Sequence, residues 1–177
     1  MLYVIAGLSG SGKSTIANAL SKKLKMKMMI QYTTRPMRPG EINGIDYFFV
    51  TNEEFNQINM LTKEEFKVAG GDTWCYGLPL VNENEDYVVV LPPKSIQILK
   101  DKNVKFVDIL VQVNDEERIK RIFNRNDNQT LDEIVRREKE DKEIFKGYKP
   151  RLSIVNEGPI DDVIIKLINK LIYVFTY

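Results

Sequence analysis

Apolar residues in this chain fall into two textures. Leu2–Ala6 is an uninterrupted apolar run ending at a glycine, the pattern of a strand buried on both faces. Ile16, Leu20 and Leu24 then recur at i, i+4 and i+8, the spacing of one helix face, and Met26–Tyr32 reads as a second strand. From Thr33 to about Leu80 the texture changes. Glycine, proline and short aromatic runs such as Tyr47-Phe48-Phe49-Val50 surround a helical stretch at about Glu53–Asn59, which predicts a small β-rich lobe. Alternation then resumes: a strand at Tyr87–Leu91, a helix opened by Pro93 and running through Asp101, a strand at Val107–Val113 and a helix from Asp115 to Arg125. A charged helix follows from about Leu131 to Phe145, then a strand at Leu152–Val155. The final helix carries Val163, Ile164, Leu167, Ile168, Leu171, Ile172 and Phe175 on one face. Short apolar strands alternating with helices predict an α/β fold on a doubly wound parallel sheet. With no repeat in sight, residues 1–177 are expected to form one domain: a core from 1–32 and 81–177, and an inserted lobe from 33–80.

Composition narrows the chemistry more than it names it. The 177 residues, 43% of them hydrophobic, suffice for one continuous core. Lys and Arg (26) balance Asp and Glu (25), so neither a nucleic acid nor a membrane is an expected partner. There is no histidine, which excludes imidazole general-base catalysis, Ser–His triads and His-ligated metals. The lone Cys75 allows no internal disulfide, and a reducing, cytoplasmic setting is expected. The apolar N-terminal run is too short for a signal sequence, and the apolar stretch after Ile160 is interrupted by Lys166, Asn169 and Lys170.

The first motif with its own chemistry is Gly7-Leu8-Ser9-Gly10-Ser11-Gly12-Lys13-Ser14, which fits G-x-x-x-x-G-K-[ST] between a predicted strand and a predicted helix. Its glycines let successive backbone N–H groups turn inward onto phosphate oxygens at a helix N-terminus. Lys13 can bridge the β- and γ-phosphates, and the Ser14 hydroxyl can ligate Mg²⁺. Gly7, Ser9, Gly10, Ser11, Gly12, Lys13, Ser14 and Thr15 are the candidate ATP-binding set.

The second is Thr33-Thr34-Arg35-Pro36-Met37-Arg38-Pro39-Gly40-Glu41-Ile42-Asn43-Gly44-Ile45-Asp46-Tyr47-Phe48-Phe49-Val50. Arg35 and Arg38 lie three apart in a Pro/Gly-bounded loop, where two guanidinium forks can grip one phosphate; Tyr47 and Tyr76 can add hydroxyl donors. This stretch closely resembles the acceptor-lobe signature of the guanylate kinase family. The resemblance implies a P-loop nucleoside monophosphate kinase with a helical lid at about 121–148, ATP and Mg²⁺ as donor and metal, small-molecule nucleotides as partners, and a monomer or homodimer. It implies an acceptor-monophosphate site of Arg35, Arg38, Glu41, Tyr47 and Tyr76. Lid arginines would close over the transfer; of Arg121, Arg125, Arg136 and Arg137, the best matches are Arg125 and Arg137. The residues assigned to the transfer step are thus Lys13, Arg35, Arg125 and Arg137.

Base reading departs from the pattern. Gln31 stands where the family carries a serine, Glu65-Phe66-Lys67-Val68 lacks a second acid, Leu78 follows Gly77, and Leu91-Pro92-Pro93 replaces an acidic strand end. Gln31, Glu65 and Asp72 are the candidate substitutes. The expected reaction is transfer of the γ-phosphoryl group of ATP to GMP or dGMP. The alternatives are a kinase of another (deoxy)nucleotide or of a small ester such as a ribose phosphate, and a non-catalytic phosphopeptide-binding module, which the complete Gly12-Lys13-Ser14 opposes.

Overall fold

The computed structural model describes residues 1–67, 71–82, 84–124 and 131–176, without the side chains of 131–133, 136 and 137. In chain order the elements are β1 (Leu2–Ala6), α1 (Lys13–Leu24), β2 (Lys27–Met28), β3 (Tyr32–Thr33), β4 (Phe48–Phe49), α2 (Asn52–Gln57), β5 (Met60–Lys67), β6 (Thr73–Pro79) and β7 (Tyr87–Val90). They continue with α3 (Pro93–Asp101), β8 (Phe106–Gln112), α4 (Asp115–Phe123), α5 (Leu131–Phe145), β9 (Leu152–Val155) and α6 (Ile160–Thr176).

Five strands form one sheet in the order β2-β7-β1-β8-β9, every pair parallel. All five residues of β1 are buried, as its unbroken apolar sequence requires. Their alternation divides them between two cores. Tyr3 and Ile5 join Ile16, Ala17 and Leu20 of α1 and Val163, Ile164, Leu167 and Leu171 of α6. Leu2, Val4 and Ala6 join Ile96 and Leu99 of α3, with Phe145 of α5 packed against them. Helices cover both faces, the doubly wound arrangement expected from the sequence. Because β1 is central and the chain leaves it toward β2 on one side, the loop after Ala6 opens at the carboxyl ends of the strands, where such sheets bind ligands.

A second sheet has the order β4-β3-β6-β5, with β3 parallel to β4 and antiparallel to β6, and β6 antiparallel to β5. Between its strands, Thr51 caps α2 in a capping box with Glu54.

Three readings of the sequence change. The run Met26–Tyr32 is two short strands in different sheets: Lys27–Met28 lies on β7 of the parallel sheet, whereas Tyr32–Thr33 pairs with β4 and β6. The buried face of α6 is narrower than its apolar pattern, since Ile172 and Phe175 are 58% and 50% exposed, Phe175 meeting Tyr3 edge-on. Leu24, at the end of α1, is also exposed. No described helix is long and apolar enough to cross a membrane.

Candidate active site

The loop between β1 and α1 is held from three sides. Gly10 and Gly12 sit at φ 80° and 85°, the left-handed region that glycine enters without strain. A Cβ on Gly12 would come within 2.2 Å of Asn156 Nδ2, the atom that donates to Ser11 O at 2.8 Å, so glycine here is also a steric requirement. From α4, Arg118 donates Nη1 to Ser9 O at 3.2 Å. Arg118 is 1% exposed and binds Glu138 of α5 through two bonds of 2.6 Å, so one guanidinium ties α4, α5 and the loop together. The Arg118 bond, followed by Lys142, holds the Glu138 carboxyl below its ordinary value despite partial burial. Arg118 was not among the candidate residues: its partner lies 20 positions away, and an arginine on a charged helix gives no sign of burial.

The loop faces a cleft of about 580 Å³. Gly7, Ser9 and Lys13 line one part of it; Arg38, Tyr47 and Tyr76 of the lobe line another. Lys13 Nζ donates to Leu8 O at 3.3 Å, which curls it back over the loop. Ser14 and Thr15, the next residues of α1, are exposed beside it. A carboxylate from α5 enters from the opposite wall: Asp141 Oδ2 accepts from the Ser9 amide at 2.6 Å, with Glu140 also lining the cleft.

Arg35 and Glu41 take a different place from the rest of the acceptor set. Arg35 is 4% exposed, and its fork is engaged by Glu41 at 2.7 and 3.0 Å and by Pro36 O at 2.8 Å. Its guanidinium carbon lies 5.4 Å and 5.5 Å from the Tyr47 and Phe49 ring centres. The Arg38 amide donates to the same Glu41 carboxylate at 2.7 Å. Glu41 thus shapes the loop that presents Arg38, while Arg35 stands behind Tyr47. Burial first, and then the Tyr76 hydroxyl, pushes the Tyr47 phenol up, so it remains a neutral donor near pH 7.

The Arg35 bond, reinforced by the Arg38 amide, holds the Glu41 carboxyl below its ordinary value of 4.5. A folded-state value below the unfolded one contributes stability that is complete above the unfolded value and is lost as pH falls through the folded one. Glu41→Gln is therefore expected to lower stability at pH 7 by about 1–3 kcal/mol and to flatten the acid side of the stability profile below about pH 4.5. Urea unfolding between pH 3 and 7 measures both; an acid slope equal to wild type would show that the pair is not a source of the acid sensitivity.

The four-stranded sheet supplies a group that the sequence reading overlooked. Along β5 the side chains of Met60, Thr62 and Glu64 turn inward, while Lys63, Glu65 and Lys67 are exposed. Glu64 is 6% exposed, lines the cleft and accepts a hydrogen bond from the Ser95 hydroxyl. Its other oxygen, Oε2, is buried with no hydrogen-bond partner among the described residues. Leaving such an atom unpaired costs about 1–3 kcal/mol, more if charged, so a built carboxylate with a vacant oxygen at a cleft wall calls for a donor from a ligand. The inward positions alternate with exposed Lys63 and Glu65, but Thr62 and Glu64 are themselves polar, so the stretch does not read in the sequence as a strand with one buried face. Of the substitutes expected, Gln31 lines the cleft and donates Nε2 to Val90 O at 3.1 Å, whereas Glu65 and Asp72 are exposed and do not line it. Trp74 of the lobe also lines the cleft.

Arg125 lies outside the described residues, as does the side chain of Arg137, and likewise that of Arg136. Arg121 is bound to Glu117 at 2.9 Å and donates to Asn156 O at 3.3 Å, beside the phosphate loop.

A strand–glycine loop–helix unit at the carboxyl end of a central parallel strand, with Lys13 curled over it, defines a P-loop phosphate-binding protein. The profile of the guanylate kinase family matches residues 1–172. The guanylate kinase of Caldanaerobacter subterraneus subsp. tengcongensis is 30% identical over 182 aligned residues, covering 97% of this chain and 84% of the relative. That of Haemophilus influenzae is 41% identical over 88 residues, 47% of this chain and 42% of the relative. Several other guanylate kinases are likewise matched over less than half of their length. Among solved structures, guanylate kinase from Anaplasma phagocytophilum superposes with a TM-score of 0.70 at 22% identity, covering 100% of this chain and 87% of that one. The chain belongs to the guanylate kinase family.

Proposed function

We propose that this chain transfers the γ-phosphoryl group of ATP to GMP, giving ADP and GDP. The observation that carries the reading is one cleft holding a phosphate loop and, on its lobe side, a buried carboxylate whose Oε2 has no hydrogen-bond partner among the described residues. Guanine presents adjacent N1–H and N2–H₂ donors on one edge, which a carboxylate can accept together; adenine presents a bare N1. A ribose phosphate offers no base edge at all. Arg38, Tyr47 and Tyr76 would hold the acceptor phosphate, with Arg35 and Glu41 fixing Tyr47 and the Arg38 loop from behind.

A phosphate oxygen of GMP attacks the γ-phosphorus in line, a new P–O bond forms, and the bond to the β-bridging oxygen breaks to release ADP. Lys13 and the loop amides stabilise charge on the β- and γ-oxygens, and Arg125 and Arg137 are proposed to close over the transfer from the lid. No protein group need become covalently attached, which suits a chain without histidine. For Mg²⁺ the protein donors are few: among the described residues no three His, Cys, Asp or Glu side chains cluster, and the exposed Ser14 hydroxyl stands at the loop. This fits a cation held chiefly by phosphate oxygens and water, with Ser14 as its protein ligand, supplying charge neutralisation on the triphosphate. A cytoplasmic setting, where ATP and GMP are both available, is part of the same proposal.

Phosphorus NMR of Mg·ATP mixed with GMP and the protein is expected to show ADP and GDP rising in equal amounts. Inorganic phosphate rising without GDP would contradict the reading.

Asp141 makes a separate prediction. Its carboxylate occupies the Ser9 amide, a donor that ATP's phosphates would claim, and the side chain must swing away for a phosphate to take its place. Asp141→Ala is expected to lower the KM for ATP about threefold to tenfold. A KM equal to or above that of wild type would show that Asp141 does not compete with phosphate.

A further inference from the structure

Glu64 is held from outside its own sheet. Ser95 is the third residue of α3, 2% exposed, and its hydroxyl donates to Glu64 Oε1 across 31 positions of sequence. Helix α3 begins on Pro92 and Pro93, has no side-chain cap and carries no acid in its first turn, and the Glu64 carboxylate meets that turn through the Ser95 hydroxyl. The cleft wall beside this contact is apolar, formed by Leu91 and Pro92 of the same segment and by Phe66 and Trp74 of the lobe. Gln31, the polar neighbour in that wall, has its amide nitrogen engaged by Val90 O.

We infer that Ser95 is a positioning residue that sets base selectivity, an inference resting on the GMP-accepting role proposed above. A glutamate is long, with a broad terminal torsion, and its orientation must be fixed before one edge of a base can be read. The Ser95 hydroxyl fixes it from α3. A carboxylate has about four lone-pair positions; Ser95 takes one on Oε1, leaving Oε2 whole and Oε1 with capacity for a second donor. The two oxygens then face a base edge with adjacent donors in a defined plane. Because α3 belongs to the parallel-sheet core and β5 to the lobe sheet, the contact also ties the base-reading carboxylate to the frame that carries the phosphate loop.

Without the hydroxyl, Glu64 loses the contact that orients it. The penalty should appear in acceptor binding and in discrimination, while the phosphoryl-transfer machinery remains whole. The test is steady-state kinetics at saturating Mg·ATP for wild type, Ser95→Ala and Ser95→Thr. The acceptors are GMP, AMP and IMP, whose hypoxanthine keeps N1–H and lacks the N2 amino group. Ser95→Ala is expected to raise the KM for GMP about tenfold with kcat within about twofold, and to shrink the preference for GMP over IMP. Ser95→Thr, which restores a hydroxyl, should recover most of both. A merely structural serine would instead lower thermal stability and the active fraction while leaving KM and the GMP-to-IMP ratio unmoved, and that result would overturn the inference. So would a Ser95→Ala enzyme indistinguishable from wild type. If wild type failed to turn over GMP, the acceptor assignment itself would fall, and this inference with it; GMP turnover with unmoved Ser95→Ala constants would overturn this inference alone.

Discussion

Lys13→Ala is expected to lower kcat about 10²–10³-fold while leaving the thermal unfolding transition within a few degrees of wild type. Lys13 opens α1, and its ammonium reaches back to Leu8 O, which places the charge over the loop rather than along the helix. In the transition state, negative charge spreads over the oxygens of the transferring group, and a cation preorganised there stabilises it without reorganisation. The side chain is not part of either apolar core, so its removal leaves β1 and α1 packed as before. Initial rates at saturating ATP and GMP, beside a melting curve, separate the two effects. An alanine enzyme within a fewfold of wild type would remove the phosphate loop from the chemistry.

Glu64→Gln should be the sharpest test of acceptor choice. The amide preserves shape but replaces one accepting oxygen with a donor, which then opposes a donor of guanine. We expect kcat/KM for GMP to fall about 10²–10³-fold, with AMP affected little or in the opposite sense, because adenine's bare N1 can accept. Stability should not fall with activity: among the described residues the wild-type Oε2 is buried without a hydrogen-bond partner, so the free protein gives up little by its replacement. The measurement is kcat/KM for GMP and AMP beside the melting temperature. A GMP value within threefold of wild type would exclude Glu64 from base reading.

What the sequence disclosed and what it hid follow from the range of the interactions. The loop from Gly7 to Ser14 was legible because its chemistry is local: spacing, glycine conformation and the flanking apolar run all lie within two dozen residues. Four of the five parallel strands were legible as apolar runs. Met26–Tyr32 misled because periodicity records burial and not partners. Met29 donates to Val88 O of the core, while Gln31 O accepts from Phe48 of the lobe, so one uniform run crosses between two sheets. The acceptor loop showed its residue types but not their ranks, since only folding reveals that Glu41 takes up Arg35 and leaves Arg38 at the cleft. Glu64 and Ser95 were hidden for a further reason. Each looks ordinary alone, and their meaning arises from a contact between β5 and α3 that no local pattern encodes.

The most direct measurement is ADP formation from Mg·ATP with GMP, dGMP, AMP, CMP, UMP, dTMP and ribose phosphates offered one at a time. Rapid turnover confined to GMP and dGMP is the predicted result, since only guanine brings two adjacent donors to Glu64. Rapid turnover of AMP or a ribose phosphate with GMP left untouched, or tight ATP binding with no acceptor consumed, would contradict it.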